Sequence, residues 1–133
     1  MIALSEGARA LSKEPSYASI ATVMPDGSPH VSPVWIDVDD EGRLLVNTVL
    51  GRRKEKNMRR DPRVAVAVAA HDDPERRIEV RGRVVAWVDG DAAEQHIDQL
   101  SARYYGYEPY PDHSPELPRV IAVIAAERIF ERL

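Results

Sequence analysis

Along much of this chain apolar residues recur at every second position, in runs punctuated by short polar turns. Residues 17–24 (Tyr-Ala-Ser-Ile-Ala-Thr-Val-Met) read as a strand. Pro25-Asp26-Gly27-Ser28 follows as a turn in which the glycine takes positive φ. From His30 to Val38 the chain alternates again, with Ser32, Val34, Ile36 and Val38 on one side and Val31, Pro33 and Trp35 on the other. Asp39-Asp40-Glu41-Gly42 closes a second hairpin into a strand over 43–49. Pro33 places its strand at a sheet edge or a bulge, because proline cannot donate to a ladder.

Further along, Val64, Val66 and Val68 alternate with Ala65, Ala67 and Ala69, a strand apolar on both sides. One side faces a barrel interior and the other is expected to be covered. Residues 76–88 form a long strand interrupted at Gly82, a natural bulge. The last strand, 119–130, begins apolar on both faces.

Helical spacing appears in three places. Residues 5–14 carry Ser5 as N-cap and set Ala8 and Leu11 on one face. The basic stretch 52–61 stops at Asp61-Pro62, where the residue before proline leaves the α region. Asp91-Ala-Ala-Glu94 reads as a capping box opening a helix to about Tyr105, with Gly106 as its stop. A proline-rich loop, 107–118, comes next. Hairpin-linked strands with few peripheral helices predict a mainly β, antiparallel barrel in a single domain over 1–133.

Composition narrows the chemistry. The chain of 133 residues has no cysteine, which removes disulfides, thiolate zinc sites, iron–sulfur clusters and cysteine nucleophiles. There is no signal-like start and no apolar run of the roughly 20 residues a bilayer requires, so a cytoplasmic protein without membrane contact is expected. The net charge is −4, yet residues 52–63 hold seven basic residues against Glu55 and Asp61. Such a local concentration fits one anion, whereas a nucleic-acid binder is more broadly basic. His30, His71, His96 and His113 lack metal-ligand spacing, and no metal site is expected. Ser32 has no nucleophile elbow, and no catalytic residue stands out.

The most informative segment is Asn47-Thr48-Val-Leu-Gly51-Arg52-Arg53-Lys54-Glu-Lys56-Asn57, running on to Asp61-Pro62. A strand ends in small polar residues, a glycine loosens the backbone, and bases crowd the first turn of a helix whose N–H groups and positive dipole end face outward. Arg supplies a planar fork and Lys a point charge to a phosphate. A solvated basic helix face is the plain alternative. Trp35 serves either a bound ring or the core, with buried area favouring the core. Tyr104, Tyr105, Tyr107 and Tyr110 fit a pocket border and a packed loop equally.

Taken in order, several pieces resemble the pyridoxamine 5′-phosphate oxidase-like superfamily, and within it the deazaflavin-dependent branch. They are the opening helix with Ala-Ser-Ile-Ala-Thr, Asp-Gly-Ser-Pro-His-Val-Ser-Pro-Val-Trp, the segment from Arg52 to Val64, Val-Arg-Gly-Arg-Val, Ala-Arg-Tyr-Tyr-Gly, and the closing strand from Arg119. The resemblance implies a split β-barrel of the FMN-binding-protein type and a homodimer with two cofactor sites at the subunit interface. By position, it implies that Arg53 and Lys54 meet the cofactor phosphate, supported by Arg52 and Asn57. It sets the backbone of His30, Val31, Ser32, Pro33 and Val34 along the ring, with Asn47, Thr48 and Gly51 beside it. More weakly, it lets Arg77, Ile78 and Glu79 close the site.

The activity it implies is hydride transfer between coenzyme F420 and a small organic acceptor. FMN in the same fold, or a non-catalytic flavin or tetrapyrrole carrier, are the alternatives. Surplus bases at Lys56, Arg59 and Arg60 favour F420, whose oligoglutamate tail would use them. The chain lacks the long amino-terminal extension and the pyridoxal-phosphate side chains of the oxidase proper. It also lacks the apolar amino-terminal helix of membrane-associated deazaflavin nitroreductases. The doubly apolar strands at 64–70 and 120–126 lead to an expected apolar dimer interface above ~2,000 Å².

Overall fold

The structure, a computed structural model, describes residues 1–133. Its ten elements are α1 (Glu6–Lys13), β1 (Tyr17–Val23), β2 (Pro29–Val34), β3 (Asp37–Val38), β4 (Leu44–Val49), α2 (Arg53–Arg60), β5 (Arg63–Ala69), β6 (Arg77–Val88), α3 (Asp91–Tyr104) and β7 (Arg119–Arg132). All seven strands join one antiparallel sheet in the order β2-β1-β5-β6-β7-β4-β3.

That order decides the shape. β2 and β3 are the two outer edges of the sheet, yet only Trp35 and Ile36 separate them in the chain. Three Cα–Cα steps of 3.8 Å span at most about 11 Å. The sheet therefore curls until its edges nearly meet, which is a split barrel. The alternation from His30 to Val38 does not mark one strand: the chain leaves one edge at Val34 and joins the opposite one at Asp37. Pro33 does lie on an edge strand, as its missing N–H requires.

Inside the curl, every second residue of the strands packs into one core that includes Ile20, Ile36, Leu44, Val46, Val66, Val68, Ile78 and Ile124. Ala8 and Leu11 bring α1 onto it, and the Ser5 hydroxyl accepts the Ala8 N–H at 3.1 Å, as the cap pattern predicts. On the outer side of β7, Ile121 and Val123 meet Ala93 of α3. Both faces of 120–126 are thus covered within one chain, and only β5 keeps an open apolar side at Ala65 and Ala67.

The start of α3 also departs from expectation. Gly90, at φ 67°, is the N-cap, so Asp91 already lies inside the helix and caps nothing. Glu94 is free for other partners. It accepts the backbone N–H of Arg119 at 2.7 Å and bonds His113 at 2.8 Å.

Gly82 sits at a register shift between β6 and β7. A Cβ there would lie 2.1 Å from the Ala125 carbonyl oxygen, a backbone atom of the neighbouring strand. Gly82→Ala is expected to destabilise the fold by about 1–3 kcal/mol or more, measured by urea unfolding, because the clash falls on a ladder that cannot yield.

Candidate functional site

Where the barrel splits, a cavity of about 600 Å³ opens. Pro33, Val34 and Trp35 form one lip, and Asn47, Thr48, Arg52 and Lys54 the other. β3 pairs with β4 only at Leu44 and Leu45, so the outer backbone edge of β4 beyond Leu45 has no strand partner. The cavity thus lies between two sheet edges, within the size range of small-molecule sites.

Its far wall is aromatic. Trp35 stacks on Tyr104 with ring centroids 5.1 Å apart and planes at 6°. Tyr105 and Tyr110 meet the same indole edge-on at 4.7 and 6.0 Å. Trp35 is partly buried and lines the cavity, and so do Tyr104, Tyr105 and Tyr110. Tyr107 stacks on Tyr105 outside it. The Tyr104 hydroxyl accepts the Ile36 N–H at 3.2 Å and donates to the Ser16 carbonyl at 2.8 Å, which fixes the wall to the chain crossing. Burial pushes its pKa up, so this hydroxyl keeps its proton as a structural donor.

Beside this wall the cavity is cationic. Half-buried Lys54, exposed Arg52 and buried Arg119 all line the cavity. Burial, followed by the charges of Arg52 and Arg119, holds the Lys54 ammonium below its ordinary pKa. Cations gathered without an anion form a site that a phosphate would relieve. The α2 N-terminus adds to it, since no side chain caps it. Glu55 shapes the turn by accepting the Gly51 N–H at 2.8 Å. Arg119, which sequence reasoning took only for the start of a strand, is held by its guanidinium above the Tyr110 ring at 4.7 Å and by a 3.0 Å bond to the Tyr110 hydroxyl.

Of the residues expected at the site, Pro33, Val34, Asn47, Thr48, Arg52 and Lys54 converge on this cavity. Gly51 shapes the turn with φ 95°. Arg53 is exposed and does not line the cavity. Asn57 is fully buried, and its amide donates to Thr22 Oγ1 at 3.0 Å and to Met24 Sδ at 3.3 Å. It fastens α2 to β1 and offers no donor to an anion. His30 and Ser32 are partly buried, with Nδ1 and Oγ unpaired, outside the cavity lining.

Val31 and Glu79 line a second concavity on the outer face of the sheet, and Arg77 pairs with Glu75 and Glu79 beside it. The Ile78 side chain is a core residue with no exposure, so it closes no site from this position. The surplus bases are mostly in use: Arg59 pairs with Glu55 at 2.7 Å and covers the Trp87 ring at 3.9 Å. Arg60 bonds the Val23 carbonyl and Asn57.

A cluster of Asp37, His96, Arg103 and Lys13 lies outside the cavity lining. The Asp37 carboxylate is buried and accepts from Lys13 Nζ at 2.8 Å, Arg103 at 3.1 Å, the Val38 N–H at 2.9 Å and His96 Nε2 at 2.9 Å. Burial alone would raise its pKa, but these donors prevail and hold it well below the ordinary carboxylate range. In sequence, Asp37 looks like the start of an acidic turn and His96 like one helix residue among many. No local signal joins them.

The sequence profile of the pyridoxamine 5′-phosphate oxidase family matches residues 4–132. The chain belongs to that family. Its members share this curled antiparallel sheet with peripheral helices, a fold that binds flavin-type cofactors, and they include oxidoreductases. Among solved structures, an F420 reductase is 32% identical, with 97% of this chain and 100% of that one covered and a TM-score of 0.81. A conserved hypothetical protein from Mycobacterium tuberculosis is 27% identical over 96% of this chain and 84% of that one, at a TM-score of 0.69. A heme-binding protein from Mycobacterium smegmatis, 22% identical over 97% of this chain and 54% of that one at 0.62, shares the fold alone. No curated protein matches. No helix is long and apolar enough to cross a membrane.

The loop carrying the aromatic wall is clamped by a histidine. His113 bonds Asp98 at 2.6 Å and Glu94 at 2.8 Å, and Asp98 also accepts the Tyr110 N–H at 2.8 Å. The Asp98 bond raises the His113 pKa above its ordinary value, burial opposes slightly, and Glu94 adds to the rise. A raised histidine contributes most below about pH 6.5 and loses its contribution as pH climbs through the folded-state value. The protection factor of the Tyr110 amide in hydrogen exchange is expected to fall across that range. His113→Gln should abolish the pH dependence.

Proposed function

We propose that this chain is a homodimeric oxidoreductase that binds coenzyme F420 in the cleft and passes a hydride between it and a small organic acceptor. The observation that carries the reading is the uncompensated group of Arg52, Lys54 and Arg119 at one end of a cleft whose far wall is aromatic. That arrangement fits a phosphate tethered to a flat ring. Buried Thr48 Oγ1 and Asn47 Oδ1, both without partners on residues lining the same cleft, fit the polar rim of such a ring. The full-length likeness to an F420 reductase favours the deazaflavin.

When bound, the deazaflavin supplies the carbon that gives or takes the hydride. The chain's own residues bind and orient. Lys54, Arg52 and Arg119 hold the phosphate, Trp35 and the tyrosines exclude water, and Asn47 fixes the ring's rotation. No side chain is set as a proton donor, so solvent supplies the proton that accompanies hydride delivery.

FMN is the second reading, and one observation favours it. With Arg59 on Glu55 and Trp87, and Arg60 on Val23 and Asn57, only Lys56 remains of the three bases that an oligoglutamate tail would use. Fluorescence titration with both cofactors separates the readings. F420 should bind more tightly, and its reduced form should be oxidised on addition of an acceptor. Tight FMN binding without F420 binding would overturn the deazaflavin assignment. F420 binding without turnover would identify a carrier. Lys54→Ala should raise the dissociation constant about ten- to hundredfold while leaving the fold intact, because charge-assisted bonds to phosphate contribute roughly 1.5–3 kcal/mol.

The dimer rests on the outer face of β1, β2 and β5. Ala21, Ala65, Ala67 and Val31 form an apolar floor beside Phe130, and Val31 is 67% exposed in the single chain. Small side chains let a second copy approach closely. Val31, Arg77 and Glu79 reach a cofactor only across such an interface. Sedimentation should show a dimer at micromolar concentration, and Ala67→Arg should yield a folded monomer. A parent chain that sediments as a monomer would refute it.

A further inference from the structure

Asn47 lines the cleft, but the rest of its environment lies behind the wall. Its Nδ2 stands 3.0 Å from the Ala93 carbonyl oxygen and 3.1 Å from His96 Nδ1. A carbonyl oxygen only accepts, so the atom facing it must be the amide nitrogen. One amide hydrogen goes to Ala93 and the other to His96, whose Nδ1 therefore accepts. The remaining imidazole nitrogen, Nε2, then carries the proton and donates to Asp37 Oδ2 at 2.9 Å. Asp37 cannot turn away from it, because Lys13 and Arg103 hold its other oxygen at 2.8 and 3.1 Å. Every donor and acceptor in this chain of contacts has one consistent assignment. What is left over is Asn47 Oδ1, buried and without a partner.

We propose that Asp37 and His96 are positioning residues that lock the Asn47 amide with its oxygen as the open acceptor of the cleft, so that the site selects a ring bearing an N–H, such as the imide N–H common to flavins and deazaflavins. This rests on the cleft being a flavin-type cofactor site. An unsatisfied buried acceptor is costly, and a ligand N–H removes that cost. A ring lacking the hydrogen leaves the acceptor unpaired. Without His96, the amide loses one of its two fixed contacts and is held by the Ala93 carbonyl alone, so its oxygen is positioned less firmly. The tautomer follows from the same contacts, so it is testable with no ligand present.

The test compares whichever of FMN and coenzyme F420 titrates into the cleft with its 3-methyl derivative, in which the imide hydrogen is replaced. The parent protein should prefer the unmethylated ligand by about tenfold, the size of one net hydrogen bond. Asn47→Ala should reduce that preference to about twofold or less. His96→Leu should do the same by weakening the unmethylated ligand alone, while His96→Gln, which can donate to Asp37 and accept from Asn47, should restore the preference. A merely structural histidine would weaken both ligands equally, and that result would overturn the proposal. Nitrogen NMR of the free protein gives an independent reading: His96 should carry its proton on Nε2 with Nδ1 bare, and the Asn47 side-chain hydrogens should exchange slowly. A proton on Nδ1 would refute the relay. Tight binding of both ligands without discrimination would sink this inference and leave the cofactor reading standing. Failure of both cofactors to bind would overturn this inference and the cofactor reading together.

Discussion

The barrel closes around one buried carboxylate. At Asp37 the chain has just crossed from one edge of the sheet to the other, and the crossing is only two residues long. A carboxylate in that position requires donors, and it draws them from two of the three helices, Lys13 from α1 and His96 and Arg103 from α3. Arg103 also bonds the Ile36 carbonyl at 3.0 Å. The helices are therefore not decoration on the sheet. They hold the seam, and with it the relative position of the cleft's two lips. Removing one partner of a buried ion pair typically costs about 3–5 kcal/mol, a large share of the stability of any small domain. Because the Asp37 pKa is held low, this support is present above about pH 4, the unfolded value, and is lost as the pH falls below it.

Positive charge divides in the same way between holding and binding. The segment after β4 is densely basic, yet most of that charge serves the fold: Arg59 lies on Trp87 and Glu55, Arg60 on Val23, and Arg63 on Asp61. Three cations without an anion, Arg52, Lys54 and Arg119, meet at the cleft, and Arg119 comes from β7, far along the chain from the other two. Composition overstates how much basic charge is available to a ligand and misses where it is gathered. A site of mutually repelling cations in an acidic protein attracts an anion more sharply than a basic surface would, because the attraction is confined to one place.

The legible parts of the fold were those fixed by short-range chemistry. The Ser5 cap, the Gly27 turn, Pro33 on an edge, the Gly82 bulge and the stop at Gly106 all follow from neighbours in the chain. The break between β2 and β3 was not legible. Val34 and Ile36 both turn inward, so the period of two runs through the crossing without a slip, and nothing in the pattern shows that the strands lie on opposite edges. The capping box at 91–94 was misread because Gly90 takes the cap position and Glu94 looks outward to Arg119 and His113. At the site, the strand–glycine–basic helix order singles out Asn47, Thr48, Arg52 and Lys54, which the fold brings to one cavity. Asn57 has the same spacing as a ligand-facing amide but is drawn inward by Thr22. His96, Asp37 and Arg119 meet the site only through tertiary packing.

Tyr110 joins the two halves of the cleft. Its ring completes the edge-on packing around Trp35, while its face and hydroxyl hold the Arg119 guanidinium. Its backbone N–H is tied to Asp98, and the ring of His113 packs edge-on against it at 5.8 Å. A shift of this one residue would disturb the aromatic wall and the cation group together. The loop that carries it is polar and exposed, with little apolar burial of its own, so the His113 clamp and the Arg119 contact do most of the holding. A ligand that engages both the ring wall and the anion end would strengthen this loop from two sides at once. Under the proposed function, such a coupling would order the wall in step with phosphate binding, as a site that excludes water around a reacting ring requires.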